Sequence, residues 1–246
     1  MSYKTILLII LILFLGVFIF LKWEVGGDPN SRFNQTTRFA LAKYPVMRTL
    51  LGLHNKGDAR AEYLKGSGPL VIEWVQPVSE SVDNTVLQKF ADLVGKYTGR
   101  ETRVIFGGGV SEGTAPLSLV DNLAFKAPGV SLQSSVLYVV FTTDYQPKDS
   151  AEFSTTHGET AMVISLNANR QFLGSYSSYL NNYLLSDLLH EFGSQIGLPE
   201  QGSNPDCVMN LQAGINGRPL ESTGRTTPQD FCPAEQEQIK QLKLRF

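Results

Sequence analysis

The chain has 246 residues, 42% hydrophobic and 18% charged, enough for one sizeable globular domain plus an appendage. Its formal net charge is −2 and no stretch interleaves basic with aromatic residues, so nothing argues for nucleic acid as a partner. The two cysteines, Cys207 and Cys232, are too few to build a structural zinc site without help from histidine.

The chain opens on an apolar run. Residues 5–21, TILLIILILFLGVFIFL, carry no charge, and as a helix they rise roughly 26 Å, the short end of what spans a bilayer. Lys22 and Trp23 follow at once, suiting a snorkelling ammonium and an interfacial aromatic. The pattern predicts a transmembrane anchor over 1–25, contacting the membrane through 5–21. A cleaved signal peptide is the rival, with Val25-Gly26-Gly27 as the small-residue site. Lys22, Trp23 and Glu24 separate that site from the apolar run, and it lacks an A-x-A pattern. A buried core helix is the third reading. Lys4 on one side and Lys22, Arg32 and Arg38 on the other leave the positive-inside balance undecided. A short tail before a long polar domain favours a single-pass signal anchor with the domain extracytoplasmic. There Cys207 and Cys232 can pair, closing a loop that contributes about 3 kcal/mol; in a reducing cytosol they stay thiols.

Residues 26–66 read as a juxtamembrane segment. VGGDPNSRFNQ is loop-like, RFALAKYPVMRTLLGL is a helix pattern broken at Pro45, and KGSGP at 65–69 is a linker. Asn34-Gln35-Thr36 matches a glycosylation acceptor, and His54 receives no role.

The third segment, 67–246, alternates strand and helix patterns. PLVIEWVQ predicts a strand. The next stretch places Val86, Leu87, Phe90, Leu93, Val94 and Tyr97 at helical spacing, with Gly99 to stop the helix. TRVIF predicts the second strand of a β-α-β unit, and VLYVVFT at 136–142 and GETAMVISL at 158–166 predict two more. The glycines at 107–109 have no Lys-Ser/Thr partner, so they predict a turn after the second strand rather than a phosphate loop. A long helix is expected over 177–195, burying Leu180, Tyr183, Leu184, Leu188 and Phe192. The fold class is α/β with segregated parts.

That helix carries LLHEFGSQIGLPE, residues 188–200. Histidines four apart on a helix share one face and reach one metal, a Glu beside the first acts as base on the metal-bound water, and a glycine lets the chain turn back with a third ligand. His190, Glu191 and Gly197 occupy that frame, Ser194 stands where the second histidine belongs, and Glu200 stands where the third belongs. Met209, within CVMN, follows, and then DFCPAEQEQIKQL at 230–242. This region resembles the metzincin zinc peptidases, archaemetzincin-like ones in particular, with a degenerate HExxHxxGxxH motif. The resemblance implies a metzincin-like mixed sheet, an active-site helix, a Met-turn at Met209 and a C-terminal helix. The relatives carry more cysteines than this chain, so their second metal site is not implied.

For the site, the resemblance implies Glu191 as general base if the protein is active. His190 and Glu200 are the candidate zinc ligands, and Gly197 and Met209 are structural. A serine hydroxyl is a poor neutral zinc ligand, so a third ligand has to come from His157, read as lying in a TTHGET turn, or from Asp206. Retained architecture with lost ligands predicts a membrane-anchored pseudopeptidase that binds a peptide or protein in its cleft by strand addition. The alternative is an active zinc peptidase with a reorganised metal site. A chance match is the third reading; it expects Met209 to lie away from His190.

Overall fold

The computed structural model describes residues 2–25, 33, 37, 41, 44–51, 60–65, 68–111, 135–143, 153–157, 161–200, 204–210 and 218–245. They fall in two compact units, Met1–His54 and Asn55–Phe246.

In the first unit the apolar run forms α1, Tyr3–Val25. Its helix continues through Lys22, Trp23 and Glu24, and the most apolar 18-residue window within Tyr3–Glu24 has mean hydropathy 2.9 and no buried share. It is the one described helix long and apolar enough to cross a membrane. A short helix, α2 at Pro45–Leu51, begins at the expected proline break. Leu51 is buried against Phe18, Leu21, Phe33, Leu41 and Met47. The sequon at 34–36 and His54 lie outside the described residues.

The second unit starts earlier than the strand pattern suggests. Helix α3, Arg60–Lys65, buries Tyr63 and Leu64 in the main core, and the Tyr63 ring stacks on Phe192 with centroids 6.0 Å apart. Strand β1 is Leu70–Pro77, and α4 is Asn84–Thr98. Asp83 caps α4 by accepting from the Thr85 N–H, and Gly99 ends it at φ 74°, the left-handed conformation glycine adopts without strain. Strand β2, Thr102–Val110, returns parallel to β1.

The glycines at 107–109 do not turn the chain; they lie inside β2. Trp74 pairs with Phe106 and Val75 with Gly108, so Gly107 is the extra residue of a β-bulge. A Cβ at Gly107 would stand 3.0 Å from both the Glu73 carboxylate and Val75, and one at Gly109 would stand 2.9 Å from Val78. Space explains Gly107 and Gly109, and Gly108 adopts φ 115°, a left-handed conformation that favours glycine.

Strand β3, Ser135–Thr142, is buried at every position, and β5 is Ala161–Ser165. Both read as continuous apolar runs because central parallel strands are covered on two faces. Between them in sequence comes β4, Ser154–His157, antiparallel to β5. The sequence reading put His157 in a turn; it ends a strand instead. Residues 158–160 of the expected fourth strand lie outside the described residues, and Leu166 opens helix α5, Leu166–Leu173, rather than ending the strand. The sheet order is β2-β1-β3-β5-β4.

One face of the sheet carries the main core, which takes Leu70, Ile72 and Trp74 from β1 and Val86, Leu87, Phe90, Ala91 and Val94 from α4. Central in it is α6, Leu180–Ile196, entered through a 3-10 turn at Gly174–Tyr179. The expected stripe is buried, except Leu180, which is partly so. From Leu188 onward burial runs almost all round the helix. The last helix, α7, is Pro233–Arg245.

Candidate functional site

The end of α6 is defined by two glycines with different reasons to be there. Gly197 adopts φ 81°, and its N–H and that of Leu198 bond back to Ser194 O at 3.1 Å and Gly193 O at 2.8 Å. This closes the last turn and swings the chain away. Gly193 has no positive φ. A Cβ there would meet Met209 Sδ at 2.4 Å, Leu198 Cδ1 at 3.2 Å and Phe231 Cε1 at 3.3 Å. Met209 is fully buried, so the turn at 207–210 packs directly under the helix. The chance reading expects these groups apart, and the structure joins them.

His190 is half-buried, and its Nδ1 lies 3.0 Å from the Val208 carbonyl oxygen. Ser194, one turn on, is 4% exposed. Gln195 donates its side-chain N–H to Ala161 O at 3.1 Å, so it faces the sheet and does not stand in for the missing imidazole.

Glu191 is only 2% exposed. Its two carboxylate oxygens accept from the Ser154 hydroxyl at 2.8 Å and from the Thr156 hydroxyl at 2.5 Å. Both donors belong to β4, two residues apart, where strand alternation puts them on one face. The carboxylate thus ties α6 to the last strand of the sheet. A general base has to reach the water it deprotonates; this carboxylate is almost wholly buried, and its two hydroxyl bonds point it at β4.

The other candidates sit on separate elements. Glu200 is exposed past the helix end. The Asp206 side chain is 80% exposed and pairs with Arg225 at 3.5 Å. His157 sits at the end of β4. Among the described residues one set of three His, Cys, Asp or Glu side chains brings its ligand atoms within 4.8 Å of one another, Cys207, Cys232 and Glu235. Cys207 and Cys232 are joined as a disulfide with Cα atoms 4.9 Å apart, and a disulfide sulfur is not the thiolate a metal takes. Among the described residues, His190 therefore has no two further His, Cys, Asp or Glu ligand atoms grouped with it. The described residues do not fit a zinc ion held by three protein ligands.

Three features at the site had no forecast in the sequence. Ser154 and Thr156 were missed because β4 has four residues and weak patterning. Asp187, one turn before Glu191, accepts from the Asn169 side-chain N–H at 2.7 Å. Burial pushes its carboxyl up to about 7; the Asn169 hydrogen bond opposes the rise, and the Glu191 carboxylate adds to it. The third is Glu235, fully buried, which accepts from the N–H groups of Met209, Cys232 and Val208 at 2.6, 2.8 and 3.2 Å. The run Cys-Pro-Ala-Glu was the available signal. Its Glu stands at the third helical position and reaches back to the cap N–H, as in a capping box.

Neither a family model nor a protein of curated function matches this sequence. Solved structures do match. The archaemetzincin of Methanopyrus kandleri superposes with a TM-score of 0.51 at 18% identity, over 74% of this chain and 98% of its own. A zinc-dependent peptidase from Methanocorpusculum labreanum (strain Z) gives a TM-score of 0.46 at 17% identity, over 68% of this chain and 99% of its own. With the helix, its glycine exit and the methionine turn joined as above, the chain carries an archaemetzincin-like metallopeptidase fold.

Proposed function

We propose that this protein is a single-pass membrane protein whose archaemetzincin-like unit binds a peptide or protein partner without cleaving it. The observation that carries the reading is Glu191. The residue in the general-base position is 2% exposed, with both oxygens bonded to β4 hydroxyls. Ser154 and Thr156 thereby brace the sheet's last strand, β4, which supports a role for that strand in adding an extended partner. The apolar helix Tyr3–Glu24 supports the anchor, and the Cys207–Cys232 disulfide suits an oxidising, extracytoplasmic side.

A zinc-dependent peptidase is the rival reading, because the fold resembles archaemetzincin and a zinc-dependent peptidase. One experiment separates the two. Full-length protein in detergent is panned against a displayed peptide library, and the selected peptides are then incubated with protein and zinc and weighed by mass spectrometry. Saturable binding with intact recovery is expected. Cleavage abolished by His190→Ala establishes the rival, and failure to select any peptide refutes the binding role.

A further inference from the structure

We infer that Glu235 is the positioning residue of the cleft, acting on His190 through the single peptide group that joins Val208 to Met209. That group offers a carbonyl on one side and an N–H on the other, and no peptide bond in the described chain is cis. Its N–H donates to Glu235 Oε1 at 2.6 Å, and its carbonyl oxygen lies 3.0 Å from His190 Nδ1. A carbonyl oxygen only accepts, so Nδ1 carries the hydrogen and neutral His190 keeps its lone pair on Nε2. Nε2 has no protein partner among the described residues. The chain of bonds is carboxylate, peptide, imidazole. A negative charge on the N–H side of a peptide draws electron density toward its carbonyl oxygen and makes it a stronger acceptor, since hydrogen bonds in series polarise one another.

The anchoring of the carboxylate fits that task. Glu235 also accepts from Val208 N–H at 3.2 Å and Cys232 N–H at 2.8 Å. The Cys207–Cys232 bond closes the same corner. Three successive residues of the turn, Cys207, Val208 and Met209, are therefore tied to the start of α7, which holds the Val208 carbonyl toward His190. His190 then offers Nε2 as a fixed acceptor for a partner's N–H group. The inference deepens the proposed binding role. The tautomer is read with neither peptide nor metal present, so its failure is distinguishable from a failure to bind.

The test is the two-bond 15N–1H correlation spectrum of full-length protein with 15N-labelled histidine, in detergent, at a pH where the ring is neutral. The chain has three histidines, and His190→Gln identifies the signal. The wild type is expected to show Nδ1–H in excess by about tenfold, the effect of one hydrogen bond of ordinary strength. Glu235→Ala is expected to bring the ratio near parity, and Glu235→Gln, which keeps one acceptor oxygen without the charge, to fall between. Leu242→Ala, a core truncation on the same helix, controls for general loosening and is expected to keep the wild-type ratio. If Glu235→Ala does not fold, Glu235→Gln alone carries the comparison. An Nε2–H tautomer in the wild type, an unchanged ratio in the Glu235 variants, or an equal change in Leu242→Ala overturns the inference.

Discussion

Gly193 gives the sharpest test of how the helix and the methionine turn are joined. Its backbone has no positive φ, so helix propensity alone favours alanine there by about 1 kcal/mol. Packing opposes this. The new methyl would lie 2.4 Å from Met209 Sδ, and Leu198 and Phe231 crowd it at 3.2 and 3.3 Å. Met209 is fully buried, so it yields only by displacing the close-packed core around it. Overpacking costs about 1–3 kcal/mol, and a 2.4 Å contact puts this site at the upper end, about 2–3 kcal/mol, which leaves Gly193→Ala a net loss of roughly 1–2 kcal/mol after the propensity gain. Met209→Ala alone is expected to cost about 2–5 kcal/mol. In the double variant the alanine methyl fills vacated space, so the losses combine to less than their sum, by about 1 kcal/mol or more. Urea denaturation in detergent, followed by the fluorescence of buried Trp74 in a Trp23→Phe background, measures all four corners. A neutral or stabilising Gly193→Ala, or strict additivity, refutes the reasoning.

Four further outcomes follow from the same contacts. Thr156→Val or Ser154→Ala leaves a buried carboxylate oxygen without its donor; each is expected to lower stability by about 1–3 kcal/mol, read as a shift in the urea midpoint. Asp187 has a folded value near 7 against an ordinary 3.8, so the folded protein holds the extra proton between those pH values and stability falls as pH rises through the window. Asp187→Asn is expected to flatten that fall, read from urea midpoints near both ends of the window. Cys232→Ser, or reduction of the wild type, is expected to cost about 3 kcal/mol, with thiol labelling before and after reductant confirming the bond. Deleting the apolar residues of α1 is expected to move the protein from the detergent phase to the aqueous phase on phase separation.

The sequence made the regular parts legible for identifiable reasons. Core stripes at helical spacing marked α4 and α6, and Gly99 and Gly197 stopped them because the left-handed conformation favours glycine. The continuous apolar run of β3 marked a strand covered on both faces. The motif frame located His190, Glu191, Gly197 and Met209 in one place. Short or irregular features were opaque. β4 has four residues, too few for alternation to register. The glycines of β2 looked like a turn because a bulge and close neighbours call for the same residue a turn does. The capping-box pattern marks only the bond from Glu235 to Cys232 N–H; its bonds to the Val208 and Met209 N–H groups, more than twenty residues away, leave no mark in composition. Tyr63 sat in the stretch read as a juxtamembrane segment, yet its ring is fully buried.

The central claim is that the cleft retains its architecture and has lost the ligands that hold zinc. The most direct test is elemental analysis of full-length protein in detergent after equilibration with zinc and exhaustive dialysis, with His190→Ala beside it. The account predicts far less than one zinc per chain in both proteins, with no difference between them. Close to one zinc per chain, lost in His190→Ala, would contradict it.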